Sequence, residues 1–353
     1  MNILILAPYP LQRAPSQRFR FEHYLKFMEE NGIAWEFQSF LSESEWDFIF
    51  SQGHSLKKLV AIFKGFARRI KMLFQVSNFS HIFIHRELTP FGPPIFEWII
   101  AKLLRKKIIY DFDDAIWMAD HHRENFLWKA LKWRSKVRNI SKWSWKVTVG
   151  NQFLADYANQ FCHQVEVIPT VVDTEIHTSI NTEPVSKKPV IGWTGSHSTL
   201  PYLDQIVPAL KALEKVANFE FVVIANKDPQ LDLKNDRFIP WKKETEIADL
   251  SSIDIGVMPL TDDPWAKGKC GFKLIQYMSL GIPAVASPVG VNTKLVLQEE
   301  TGYLASNEEE WLESLKKLID KPDLRSSMGA NGRKLIVEQY SVEATKEKFL
   351  KLF

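Results

Sequence analysis

Short apolar runs and amphipathic helical stretches alternate along this chain in two series with a polar break between them, and few folds accommodate that pattern. In the first series, strands are predicted at 2–7, 34–38, 80–84, 107–111, 145–149 and 164–168, with helices at about 16–31, 55–76, 94–105, 123–142 and 151–159. Pro169–Pro189 is polar, Thr-rich and without periodicity, so it reads as a linker. The second series opens at Val190-Ile191-Gly192-Trp193, continues through a helix over 200–216, and has strands near 219–225, 236–239, 254–258 and 283–287. Three closing helices, about 307–319, 321–338 and 341–352, contain no further predicted strand, and Tyr340-Ser341 supplies a kink and an N-cap for the last. The expected architecture is α/β, with two Rossmann-like doubly wound domains facing across a cleft, the first spanning 1–170 and the second 171–338.

Composition narrows the function classes. A chain of 353 residues suffices for two domains that each bury a core. The net charge of +3 does not provide a whole-molecule field for nucleic acid. Cys162 and Cys270 have no metal or redox spacing and suit a reducing compartment. Met1-Asn2 runs directly into Ile3-Leu4-Ile5-Leu6 without a charged leader, and no apolar run approaches a membrane span, so a cytoplasmic location is expected. The residues after the first strand, Ala7 to Pro15, contain no glycine, which removes the G-x-G-x-x-G dinucleotide turn. Walker A, H-E-x-x-H, paired C-x-x-C and G-x-S-x-G patterns are also missing from the sequence.

Gly268–Val289 reads as a loop, an amphipathic helix and a buried strand in succession, with Lys269 and Lys273 at the helix start. Leu274, Ile275, Met278 and Leu280 give the helix a buried side, and Gly281 with Pro283 stops it. A helix start beyond a parallel strand favours an anion. Upstream, Ile191 to Thr199 is a strand, a small-residue turn and a helix start; Gly195 admits close backbone approach, and Ser196, Ser198 and Thr199 with free amides suit a diphosphate, with His197 beside them.

These segments resemble the donor-sugar corner of the GT-B glycosyltransferases, specifically the retaining family 4 type. In that type a Glu, seven residues and a second Glu precede a small-residue helix and a G-x-P-V-V-A-S strand. Here Gly268 occupies the first Glu position and Gln276 the second, while Gln276-Tyr-Met-Ser-Leu-Gly-Ile-Pro keeps the rest. An Arg and a Lys usual in the phosphate turn are absent, which leaves Lys267, Lys269 and Lys273 to supply the charge. The resemblance implies retaining transfer of a sugar from a nucleotide diphosphate sugar to a hydroxyl acceptor on a lipid-linked or cell-surface glycan, with no cofactor or metal. It implies a donor set of Gly195, Ser196, His197, Lys269, Gly271, Phe272, Lys273 and Gln276, with Lys273 on the leaving diphosphate and Gln276 on the ribose. It also implies that 339–353 forms a helix crossing back to the first domain. The alternative is a GT-B partner that binds sugar nucleotides without catalysis; a GT-B epimerase is a further reading.

In the first half, Ser16 is predicted to cap a helix carrying Arg18 and Arg20, which with Arg86 form the expected acceptor-side cations. His85-Arg86-Glu87 and Asp111 to Asp114 end neighbouring strands. Three carboxylates in four residues call for a cation, and Arg86 is the nearest. Asp113 and His85 are expected to border the sugar and acceptor. Capping of the next helix by Asp113 or Asp114 is a plainer reading, and Asp111-Phe112-Asp113 also matches the metal-binding D-x-D of GT-A enzymes.

Two basic stretches, His54–Val76 and Arg123–Lys146, hold fourteen Lys or Arg against one Glu and include Trp128, Trp133, Trp143 and Trp145. They suit an anionic membrane surface, so peripheral attachment at the inner face is expected; solvated faces of packed helices would look similar.

Overall fold

The computed structural model describes residues 1–51, 53–118, 131–178 and 188–353. The chain forms two compact units, the first comprising Met1–Thr170 and Thr345–Phe353, the second Val171–Ala344.

The first unit contains a six-stranded sheet built from β1 (Asn2–Ala7), β2 (Ala34–Ser39), β3 (His81–His85), β4 (Lys107–Phe112), β5 (Lys146–Val149) and β6 (Val165–Val167), in the order β2-β1-β3-β4-β5-β6. Every pairing is parallel. The central strands are buried along nearly their whole length, as continuous Ile, Val and Phe runs require when helices cover both faces. Because the chain leaves β1 for β2 on one side and then crosses to β3 on the other, the direction of winding reverses between β1 and β3. The closing segment belongs to this unit: Phe349 stacks on Tyr24 at 4.2 Å, and the Tyr24 hydroxyl lies 2.7 Å from Thr345 Oγ1.

The second unit has β7 (Val190–Gly195), β8 (Glu220–Ala225), β9 (Asp236–Pro240), β10 (Ile255–Met258), β11 (Ala284–Ala286) and β12 (Gly302–Leu304), in the order β12-β11-β10-β7-β8-β9 and again wholly parallel. Here the winding reverses between β7 and β10. Trp193, Leu210, Phe221, Val257 and Trp311 belong to a continuous core between this sheet and its helices. The fold is that of two doubly wound α/β units.

Local structure departs from expectation at several points. The helix expected over 16–31 is broken into Pro15–Arg18, a 3-10 turn at Glu22–Tyr24 and Leu25–Glu30, and its N-cap is Ala14 with no side-chain cap, so Ser16 does not serve. The break lets Phe19 and Phe21 both turn inward, which an uninterrupted amphipathic helix would not allow. An unanticipated helix spans Glu43–Ile49, and its entry is closed by the Ser42 amide donating to Glu45 Oε2 at 2.8 Å. β12 was also unanticipated. Ser341 does cap the last helix, Val342–Leu350, its Oγ accepting from the Ala344 amide at 3.0 Å. Part of the linker and the stretch 119–130, with Arg123 and Trp128, lie outside the described residues.

Candidate functional site

In an open parallel sheet, the loops after the two strands flanking a reversal of winding diverge and leave a crevice between them. In the second unit these are the turn after β7 and the loop after β10, so Gly195, Ser196 and His197 share a sheet edge with Lys269, Gly271, Phe272 and Lys273.

The turn after β7 is held by contacts that are remote in sequence. The Thr194 amide donates to the Tyr277 hydroxyl at 2.8 Å, and burial pushes that phenol's pKa up, which keeps the oxygen a neutral acceptor. Gly256 leaves room for the Tyr277 ring, since a Cβ there would fall 2.3 Å from Tyr277 Cδ2. The His197 amide donates to Asn226 Oδ1 at 2.7 Å, and the Asn226 amide nitrogen lies 3.1 Å from His197 Nδ1. Ser196 and Ser198 hydroxyls pair at 2.7 Å and stay exposed. The result is a short polar turn with outward hydroxyls on a fixed base.

Across the reversal, the Phe272–Ser279 helix begins at Gly271, which adopts φ +70° as its N-cap. A side chain there would be strained by that backbone, and its Cβ would meet Leu295 Cδ1 at 2.4 Å. The turn brings Lys273 Nζ to 5.3 Å from the Trp193 ring centre at the end of β7, while Lys269 Nζ lies 4.9 Å from the Trp265 ring. Each ammonium group lies over an aromatic face, a contact that orients a cation. Lys267 pairs with Asp262 at 2.9 Å. The turn after β11 backs this loop, with Gly290 built so closely that a Cβ would sit 3.1 Å from Lys267 Cα. Gln276 is turned inward and buried, and its Nε2 has no hydrogen-bond partner among the described residues.

In the first unit, the strand ends carry two stacked charge clusters. The lower one is buried. Asp111 accepts hydrogen bonds from Thr148 Oγ1 at 2.7 Å and His85 Nδ1 at 2.7 Å, and is ion-paired with Arg20, whose Nη1 also donates to the Ile168 carbonyl. Burial works to raise the Asp111 carboxyl pKa, yet the Arg20 guanidinium and His85 outweigh it and hold the group well below the usual carboxylate range. Arg20 and His85 were expected at an accessible acceptor side. Both are instead inside the unit, because a charge network closed on itself is cheaper to bury than its separate members. Asp111 is fully committed here, so the D-x-D metal reading fails on geometry.

The upper cluster is partly open. Arg86, at φ +60°, donates from Nε to Asp113 Oδ1 at 2.8 Å and from Nη2 to Asp114 Oδ2 at 3.2 Å. Burial opposes the guanidinium's charge, but the two carboxylates prevail and raise its pKa further above the normal range. Tyr9, just beyond β1, lies close enough for Arg86, Glu87 and Asp113 to act on a phenol whose pKa is raised chiefly by burial. Asp113 and Asp114 are thus Arg86 partners and not helix caps. Arg18 is half-buried beside this edge, its guanidinium 4.7 Å from the Phe19 ring centre. The loop after β1 is held by Gln17, which accepts from the Tyr9 amide at 2.9 Å and donates to the Tyr9 carbonyl at 3.0 Å.

Sequence reasoning missed Tyr9, Gln17, Asn226 and Tyr277. Tyr9 and Asn226 immediately follow β1 and β8, so the strand-end rule would have found them. Tyr277 looks like one more apolar residue of its helix, and nothing local marks it.

Residues 188–321 match the family model of Glycosyl transferases group 1. The glycosyltransferase 1 domain-containing protein 1 of Xenopus tropicalis is 23% identical over 107 residues, a match covering 30% of this chain and about a third (31%) of that protein's length. Sucrose-phosphate synthase from Thermosynechococcus elongatus superposes with a TM-score of 0.72 at 14% identity, covering 100% of this chain and 98% of the other. Anabaena HepE in complex with UDP-glucose superposes at 0.66 with 13% identity, covering 100% and 99%. The fold is therefore that of the GT-B glycosyltransferases it superposes on, and residues 188–321 are similar to the glycosyl transferases group 1 family.

Proposed function

We propose that this protein is a glycosyltransferase that moves a sugar from a nucleotide diphosphate sugar to a hydroxyl acceptor with retention at the anomeric carbon. The observation that carries the reading is the juxtaposition, at the β7–β10 reversal, of the Gly195–Thr199 turn, exposed at Ser196, His197 and Ser198, with Lys273, which lies over Trp193 of the same strand. The departing diphosphate carries the largest charge that develops in such a transfer, and ammonium groups with oriented amides stabilise it there. Lys269 and Lys273 supply the cations, the Ser196 and Ser198 hydroxyls with nearby amides the hydrogen bonds, and no metal is required in this account.

In the first unit, Arg86 with Asp113 and Asp114 is the accessible charge cluster, so it is assigned to the acceptor. His85 and Arg20 act beneath it by fixing Asp111 and the ends of β3 and β4. The buried Gln276 amide retains its proposed contact with the ribose, supported by its unsatisfied Nε2. A sugar-nucleotide-binding protein without catalysis is the second reading, favoured by Gly268 and Gln276 standing at the positions of the family's two glutamates.

HepE has been crystallised with UDP and UDP-glucose, so uridine nucleotides come first in the test. Thermal-shift measurements against uridine, guanosine and adenosine diphosphate sugars should show stabilisation by one set, about 2.7 kcal/mol at a hundredfold excess over the dissociation constant. Slow hydrolysis or transfer of that sugar separates an enzyme from a binding protein. No stabilisation by any nucleotide sugar or nucleoside diphosphate would defeat both readings.

A further inference from the structure

The Ser55–Leu73 helix has two apolar faces, and only one is covered. Its inner face, at Ala61, Gly65, Arg69 and Met72, is buried in the first unit. Arg69 had been counted with the lipid-facing cations, but it donates to the Leu88, Gln38 and Ala7 carbonyls at 3.0, 3.1 and 2.8 Å. Arg68 pairs with Glu45. Gly65 abuts the Phe40 ring so closely that a Cβ would fall 2.4 Å from it. These contacts fix the rotation of the helix.

On the opposite side, Leu56, Val60, Phe63, Ala67, Ile70 and Phe74 repeat at alternating steps of four and three. At about 100° per residue they fall within roughly 40° of one line along the helix. Leu56, Phe63 and Phe74 are 74%, 66% and 82% exposed. Lys57, Lys64 and Lys71, seven residues apart, border this stripe along one edge and are all exposed. There is no acidic residue between positions 54 and 76.

We propose that this outward stripe of the Ser55–Leu73 helix docks the protein on an anionic lipid surface, with the helix lying flat. The side chains enter the headgroup region, and the lysine row faces lipid phosphates along the helix edge. A second copy of the chain fits less well, since the same helix offers these lysines no acid on either edge. Among the described residues no helix is long and apolar enough to cross a membrane, so attachment is interfacial. In the other basic stretch, Lys136 is turned inward, against Glu87 at 2.7 Å and the Thr89 carbonyl at 2.8 Å, and the Trp145 ring has Lys107 Nζ at 4.6 Å and Lys146 Nζ at 5.0 Å from its centre.

The test is co-sedimentation of the full chain with phosphatidylcholine vesicles containing or lacking phosphatidylglycerol, at low and high salt, with no sugar nucleotide present. This readout is independent of glycosyl transfer. The wild type should bind anionic vesicles at low salt, weakly bind neutral ones, and retain part of its binding at high salt. A K57Q/K64Q/K71Q variant should lose affinity for anionic vesicles on the order of a hundredfold at low salt, and F63S/F74S should lose the salt-resistant part. These positions are exposed, so unchanged thermal melting is expected and confirms folding. The proposal is overturned by absence of binding to anionic vesicles at low salt, by variants that bind as the wild type does, or by a concentration-dependent dimer in analytical ultracentrifugation that F63S/F74S abolishes.

Discussion

The Tyr277 hydroxyl accepts a hydrogen bond from the Thr194 amide at 2.8 Å, joining the helix that carries Lys273 to the strand end that opens the Gly195–Thr199 turn. Thr194 and Tyr277 are both buried, so the amide has no water to turn to if the phenol is lost. Tyr277→Phe is expected to cost about 1–3 kcal/mol, the penalty of an orphaned buried donor. Urea titration measures that cost. Donor affinity should also fall, because the turn and Lys273 lose their shared anchor, whereas a purely structural bond would leave affinity unchanged.

Lys273→Ala removes the ammonium assigned to the diphosphate in the proposed function. The expected loss is about 1.5–3 kcal/mol, or roughly tenfold to hundredfold in donor affinity by calorimetry. Lys273→Arg should recover only part, since a planar guanidinium does not reproduce the point charge over Trp193. Equal affinity in the Ala variant and the wild type removes Lys273 from the donor site.

Much of the fold was legible because strands buried on both faces must be apolar throughout; Ile3-Leu4-Ile5-Leu6 and Phe221-Val222-Val223-Ile224 admit little else. β12 was not legible, being three residues long and opening on a glycine. The Glu43–Ile49 helix was legible in principle through Ser42 and Glu45, a capping-box spacing that local reading can detect. The candidate site divides in the same way. Strand-end loops can be placed from sequence, so the turn after Gly195 and the helix start near Lys273 lie where the pattern put them. The partners that decide accessibility are set by the fold: Arg20 meets Asp111 across 91 positions, and only the assembled sheet shows that this arginine is consumed internally.

Gly271→Ala tests the entry to the donor helix. The residue sits at φ +70°, and an added methyl would press on Leu295 Cδ1, itself fully buried. Backbone strain of this kind costs about 1–3 kcal/mol. The expected outcome is a lower unfolding midpoint, together with weakened donor binding because Lys269 and Lys273 flank the displaced turn. A variant with wild-type stability would show that the turn adapts.

Acid sensitivity of the first unit should trace to Asp111. Its folded pKa is depressed, so the carboxylate contributes stability that is complete above the unfolded value, about 4, and is lost as pH falls toward the lower folded value. Asp111→Asn keeps the shape but leaves the buried Arg20 guanidinium without its counter-charge, at an expected cost of about 3–5 kcal/mol near neutral pH. As pH falls from about 4 toward that lower folded value, the wild type loses the same contribution step by step and the gap between the two proteins should narrow. Hydrogen exchange at the amides of β3 and β4, followed across that range, reads the first unit separately from the second. If the gap between wild type and variant does not narrow as pH is taken from about 4 well below the usual carboxylate range, the charge of Asp111 is not what stabilises this unit.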